Sequence, residues 1–334
     1  MIVDAHLDLS YNAARGRDVR KPASEQQQIG TEIASVGFPD LRAGGVGLVC
    51  GTIFCEPAKP DGTHGYRNSD EAHSQLQSQL AWYRQQFDAG ELRLVREASN
   101  LPTKPEHTIG TIILLEGGDA IRSRDDVPLI FDAGVRIVGL AWKATRYAGG
   151  TGDTGPITRE GKLIVAGLNR AGMIHDASHL AEHAFWQLLD LTDNAIMASH
   201  SNCRAIVGGP SNRHLTDDMI KALVRRGGVI GINFCTQFLI RHDKFPAEKS
   251  SLADVVAHVK HICNLAGNTD CVSLGTDMDG GLGRELIPVE IATSADLPRA
   301  ADALSKAGFG DDDVKKIMGE NWLTFFRRHL PAVL

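Results

Sequence analysis

The stretch Thr111-Ile-Ile-Leu-Leu-Glu-Gly-Gly118 decides the fold. Its four consecutive Ile and Leu residues leave no polar face, which suits a strand buried on both sides, as in a parallel sheet covered by helices. A carboxylate, Glu116, ends the run, and two glycines turn the chain. Runs of the same kind recur on either side. Counted in order they are 2–9, 46–54, 111–115, 136–141, 173–177, 195–199, 229–234 and 271–275. Several segments between and after them carry apolar residues at helical spacing: 69–88, 158–170, 180–191, 216–226, 251–266 and 311–327. Thr216, and Ser250 or Ser251, are suitable helix caps, and Gly227–Gly228 and Gly267 suitable stops. Eight strands alternating with helices is the count for a (β/α)8 TIM barrel. A doubly wound open sheet would place a glycine-rich phosphate loop after the first strand. The residues there are Ser10-Tyr11-Asn12-Ala13 instead.

The length, 334 residues, suits one barrel domain over 1–334, with long loops over its mouth near 11–40, 56–70 and 143–157. With 43% hydrophobic and 23% charged residues, the composition excludes wholesale disorder and coiled coil. The net charge is −6 and no Lys/Arg run exists, so a nucleic-acid partner is not expected. No apolar run is long enough to span a bilayer and no secretory signal is visible, so no membrane partner is expected either. The six cysteines form no Cys-x-x-Cys pair and read as reduced thiols filling a core, which suits the cytoplasm. A homodimer is the default expectation for a soluble enzyme.

Residues of metal-binding type gather at the ends of these strands. His6 and Asp8 stand at i and i+2 at the end of the first, where alternation points both to one side. Glu116 ends the third, His179 follows the fifth, His200 the sixth, and Asp277 and Asp279 the eighth. The C-terminal ends of the strands are where barrel active sites are built. Each residue alone has an ordinary structural reading as a hydrogen-bonded polar group or cap. Those readings would have to hold at five strand ends at once. Imidazoles with carboxylates suit zinc, and less specifically manganese, iron or cobalt. Five ligands are too many for one tetrahedral zinc and suit two ions sharing a carboxylate. The reaction class is then metal-assisted hydrolysis of an amide, ester or similar bond. His175, two before Ala177, is close enough to support the site, while the other histidines, His64 among them, read as ordinary polar residues.

His6-x-Asp8, Glu116-Gly117-Gly118, Asp176-x-Ser178-His179, Ser199-His200-Ser201, Arg213 in Arg-x-Leu-Thr-Asp, Gly275-x-Asp277-x-Asp279-Gly280 and Gly319-x-Asn321 occur in an order that resembles the membrane (renal) dipeptidase family of zinc peptidases. The resemblance implies that His6 and Asp8 hold a first zinc, that Glu116 bridges, and that His179 and His200 hold a second. It implies that Asp277 handles the proton of the attacking water and that Arg213 pairs with the substrate carboxylate. One position departs. The family has a histidine on the substrate carbonyl at the end of the fourth strand, and Trp142 stands there. Lys143 and Arg146 follow it and could bind substrate in its place. The expected substrate is a dipeptide or related amide. An N-acyl amino acid deacylase or a lactonase on the same site is the alternative, and a weakly catalytic metal-binding protein a further one.

Overall fold

The structure is a computed structural model that describes residues 1–59 and 65–332. Residues 60–64, with His64 and the middle of the expected 56–70 loop, lie outside the described residues. Eight parallel strands form the barrel: β1 (Ile2–Leu7), β2 (Val46–Phe54), β3 (Ile109–Glu116), β4 (Val135–Gly139), β5 (Ile174–Asp176), β6 (Ile196–Met197), β7 (Ile230–Ile232) and β8 (Val272–Leu274). Their order is β6-β5-β4-β3-β2-β1-β8-β7, and a parallel bridge between Ala198 and Ile230 joins the two ends. The expected (β/α)8 barrel is therefore the observed fold. A short extra strand, Leu92–Leu94, pairs with β3 outside the ring.

Alternation along β2 and β3 shows how the sequence builds the inside. Leu48 and Cys50 of β2, with Ile112 and Leu114 of β3, join one buried cluster with Val3, Ala5, Ile137, Ile174, Met197 and Val229. Trp322, Phe325 and Phe326 of the last helix, Asn321–His329, complete that cluster, and Trp322 Nε1 donates to the Leu274 carbonyl at 2.8 Å. The intervening residues Val49, Ile113 and Leu115 belong to the outer cluster. Continuing the inward rows reaches Phe54 on β2, after Thr52, and Glu116 on β3, which are partners in register. The barrel is tight at β6, β7 and β8. A Cβ on Gly231 or Gly275 would lie 1.9 or 1.7 Å from the Ser199 carbonyl oxygen, so neither position has room for a side chain.

The helix Ser69–Asp88 starts after Asn68, whose side chain accepts from Glu71 N–H. Thr158 caps Arg159–Arg170 and Thr216 caps Asp217–Arg225 in the same way. Ser251 and Asp254 cap Leu252–Ala266 reciprocally, and Gly267 ends it at φ 73°. The mouth segment expected over 11–40 is partly helical at both ends, with Leu9–Ala14 and Phe38–Ala43. The segment expected as one helix over 311–327 is instead Asp311–Lys315, a wider turn Lys316–Glu320, and Asn321–His329. Gly319 sits in that turn because a Cβ there would be 2.6 Å from the Met1 carbonyl.

Candidate active site

His6 comes from β1 and Asp8 from the residue that opens the helix Leu9–Ala14. Strict alternation does not set both of them. β1 ends at Leu7, and its register with β2 is irregular between Asp4 and Leu7. Both side chains still meet at the mouth, with His6 Nε2 3.9 Å from Asp8 Oδ2. The same nitrogen is 3.7 Å from Glu116 Oε2 and 4.0 Å from Asp277 Oδ1. His179 Nε2 and His200 Nε2 lie 3.2 and 3.4 Å from Glu116 Oε1, and 2.9 Å from each other. All six side chains are buried. The five expected ligands and Asp277 thus converge on one point.

The neighbouring residues decide which way the rings face. Ser199 Oγ donates to Asp176 Oδ2, so its lone pairs are free to accept from His200 Nδ1 at 2.7 Å and His6 Nδ1 at 3.2 Å. Thr151 Oγ1 meets His179 Nδ1 at 2.8 Å. With Nδ1 engaged on every ring, each Nε2 faces the cluster. Buried atoms there go without hydrogen-bond partners, namely His6 Nε2, Asp8 Oδ1 and Glu116 Oε1. Buried polar atoms without partners are costly unless an ion satisfies them. Two triads have ligand atoms within 4.8 Å of one another, His6–Glu116–His200 and His6–Asp8–Asp277. This donor set of imidazoles and carboxylates fits divalent transition-metal binding.

The electrostatics of the metal-free cluster divide its members. Burial pushes His179 down to about 4 and His200 well below its ordinary value, with Arg213 adding to both, so both rings are neutral as metal binding requires. Burial also acts to lower His6, but Glu116, Asp8 and Asp277 outweigh it and hold the ring up at about 10. Burial raises Asp8 well above the carboxylate range, helped by Glu116 and Asp277. Asp277 is raised to about 6, again chiefly by burial. Among the described residues, positive φ outside glycine occurs only at His179 (66°), Asp277 (58°) and Asp279 (63°). Such backbone costs about 1–2 kcal/mol per residue, and here it falls only on and beside the site.

Asn233, beyond β7, donates to Asp277 Oδ2 at 2.7 Å and leaves Oδ1 toward His6. Asp279 neither joins the cluster nor lines the cleft. Its carboxylate accepts from Ser35 N at 2.9 Å, Ser35 Oγ at 2.7 Å and Val36 N at 2.9 Å, with Arg17 3.3 Å away, and so pins the mouth segment. His175 points away from the site to Asn169 Oδ1 at 2.8 Å.

The cluster opens into a cleft of about 420 Å³. Trp142 lines it, half-buried, with its ring 5.1 Å from Phe54 and 6.4 Å from His179. Lys143, Arg146 and Arg213 are not among the residues that line it, although Phe238, against which Arg213 packs, is. Lys143 is exposed and rests over the Trp142 ring at 4.9 Å. Arg146 is bound to the Ile121 carbonyl at 3.0 Å and the Tyr147 hydroxyl at 2.9 Å, with Asp119 at 3.6 Å. Arg213 is not a surface residue. It is 3% exposed, donates to the His200 carbonyl at 2.7 Å, lies 5.2 Å from the Phe238 ring centre, and has no partner for Nε. No carboxylate among the described residues lies within 4.0 Å of it. Sequence reading missed Ser199, Thr151 and Asn233 as supports, and Tyr11, Phe54 and Glu56 in the cleft wall. Asn233 stands one residue before the end of the seventh apolar run, so a polar side chain just past β7 was the available signal.

Comparison with known proteins places this geometry. The model of the membrane dipeptidase family, peptidase family M19, matches residues 1–330. An uncharacterized protein of the pqqA 5′ region in Klebsiella pneumoniae is 32% identical over 261 residues, covering 74% of this chain and 93% of that one. A dipeptidase of Claviceps purpurea is 33% identical over 202 residues, 58% of this chain and 44% of that protein. Among solved structures, a dipeptidase described as a metallo peptidase of family M19 superposes with a TM-score of 0.84 at 25% identity, over 99% of each chain. A Rhodobacter sphaeroides metallo peptidase, solved with a phosphinate mimic of the dipeptide L-Ala-D-Ala, shares the fold with a TM-score of 0.83 at 24% identity, over 98% of this chain and 99% of that one. With the family matched over almost its whole length and the metal-type residues gathered at the barrel mouth, this chain belongs to the membrane dipeptidase family of metal-dependent hydrolases.

Proposed function

We propose that this chain is a two-zinc dipeptidase in which His6, Asp8, Glu116, His179 and His200 would hold the ions. The observation that carries the reading is the convergence of three imidazole Nε2 atoms and three carboxylates, several of them without hydrogen-bond partners, at one buried point. When bound, the ions would ionise a water near neutral pH and polarise the scissile carbonyl. Asp277 would take the proton of the attacking water and return it to the leaving amine. Burial raises this carboxyl above its ordinary value in the metal-free protein, and bound cations would lower it again. Asn233 holds one of its oxygens and keeps the other on the reacting side. Arg213, a buried guanidinium without a carboxylate partner, serves the substrate carboxylate. Trp142 has an indole N–H that makes no hydrogen bond among the described residues, and it is the donor proposed for the substrate carbonyl in place of the family's histidine. Lys143 and Arg146 are not assigned this role, since both are directed elsewhere.

The Claviceps purpurea relative is named a dipeptidase, in keeping with this substrate class. The six cysteines are free thiols, which fits the cytoplasm as a reducing compartment. No helix among the described residues is long and apolar enough to cross a membrane. The test is hydrolysis of L,L and L,D dipeptides by zinc-loaded protein, with His200→Ala as the blank. Turnover that disappears in the variant supports the reading. Zinc binding without peptide turnover moves it to an N-acyl amino acid or lactone substrate.

A further inference from the structure

Five carboxylates line the cleft: Asp8, Glu32, Glu56, Glu116 and Asp277. Asp8, Glu116 and Asp277 belong to the metal cluster. Glu32 is held by Arg15 through two bonds of 2.8 Å. Glu56 is different. Its side chain accepts one bond, from the Tyr11 hydroxyl at 3.1 Å, and no cationic group among the described residues lies within 4.0 Å of it. Of the other charged groups lining the cleft, Arg15 is committed to Glu32, and Lys59 is exposed at the rim.

Glu56 is also firmly placed. Its N–H donates to Gln75 Oε1 at 3.0 Å, and its carbonyl accepts from Tyr66 N–H at 2.9 Å. Two residues before it, Phe54 stands beside Glu116 in register and against Trp142 at 5.1 Å, so the aromatic wall leads from Glu56 to the cluster. Glu56 follows the second barrel strand and Arg213 the sixth. In a closed ring of eight, those strands are half a turn apart, and Arg213 reaches the cluster from its own side through the His200 carbonyl.

On this ground, and resting on the dipeptidase reading above, we propose that Glu56 receives the free ammonium group of the substrate while Arg213 serves its carboxylate. The enzyme would then select short zwitterionic peptides with a free amine and discriminate against N-acylated analogues. A carboxylate held in a partly dry cleft gains more from an ammonium than from water, because each end of the contact is charged.

Glu56→Gln keeps the shape and the Tyr11 contact and removes the charge. The experiment compares alanyl-alanine with N-acetylalanine in zinc-loaded wild type and variant, measuring N-acetylalanine as a competitive inhibitor where it is not cleaved. The proposal predicts that the preference for alanyl-alanine falls about 10- to 100-fold and that the fall lies in KM, the effect of one charged hydrogen bond. An unchanged preference, or equal weakening of both ligands, would overturn the assignment of Glu56. Wild type that cleaves N-acetylalanine and not alanyl-alanine would overturn the dipeptidase reading itself, and this assignment with it.

Discussion

Ser199 Oγ lies 2.7 Å from Nδ1 of its chain neighbour His200, and the same oxygen is 3.2 Å from Nδ1 of His6. One hydroxyl therefore orients two imidazoles of the cluster. It can do so because its own O–H donates to Asp176, leaving its lone pairs to accept. Ser199→Ala is expected to leave the barrel folded and to weaken zinc binding about 10- to 100-fold, the usual cost of losing a group that orients a metal-binding histidine. Competition with a chelator measures this directly, and unchanged affinity would show that the rings are held by packing alone.

Asp277 gives a pH prediction with a definite sign. In the metal-free protein burial holds it at about 6. Bound cations favour the ionised carboxylate and pull the value down, so the acid limb of kcat/KM for the zinc enzyme should fall below 6, with activity lost as pH drops through it. Asn233→Leu removes a bond that favours the ionised form. The limb should then move to higher pH by about one unit. A limb that stays in place would remove Asp277 from the proton path.

Arg213 has structural contacts as well as the proposed substrate role, so its variants need a paired substrate. Arg213→Lys should raise KM for a free dipeptide by about 100-fold, because an ammonium cannot reproduce the two-pronged contact. It should change KM for the matching C-terminal amide much less. Equal losses on both substrates would mean that Arg213 only braces the His200 and Ser201 loop.

Asp279 gathers Ser35, Val36 and Arg17 on one buried carboxylate. Asp279→Ala strands those donors and leaves Arg17 without its counter-charge, a loss of about 2–4 kcal/mol in stability. Limited proteolysis should move to the mouth segment between Arg15 and Gly37 before the barrel unfolds. Cleavage elsewhere first would show that the segment is anchored by other contacts.

The barrel was legible because its strands are apolar throughout. The run at 46–54 and the helix at 69–88 match the structure to the residue, the latter because Asn68 caps it. From β4 onward the strands are shorter than their apolar runs. Residues beyond the ladder, such as Ala198 and Phe234, remain apolar because they are still buried. The helix Pro298–Lys306 was not read from the sequence. The metal-type residues stood out because histidine and carboxylate at a strand end are uncommon in a core. Their supports did not, since Ser199, Thr151 and Asn233 are residue types found on any loop. The placement of Arg146 was equally hidden. Only the fold shows that Asp119, Ile121 and Tyr147 hold it away from the cleft.

The most direct measurement is a zinc titration of metal-free protein with alanyl-alanine turnover followed at each addition. The account predicts that activity develops up to about two equivalents per chain and that His200→Ala stays inactive throughout. Full turnover without added metal, or turnover saturating at a single equivalent, would contradict a two-zinc dipeptidase.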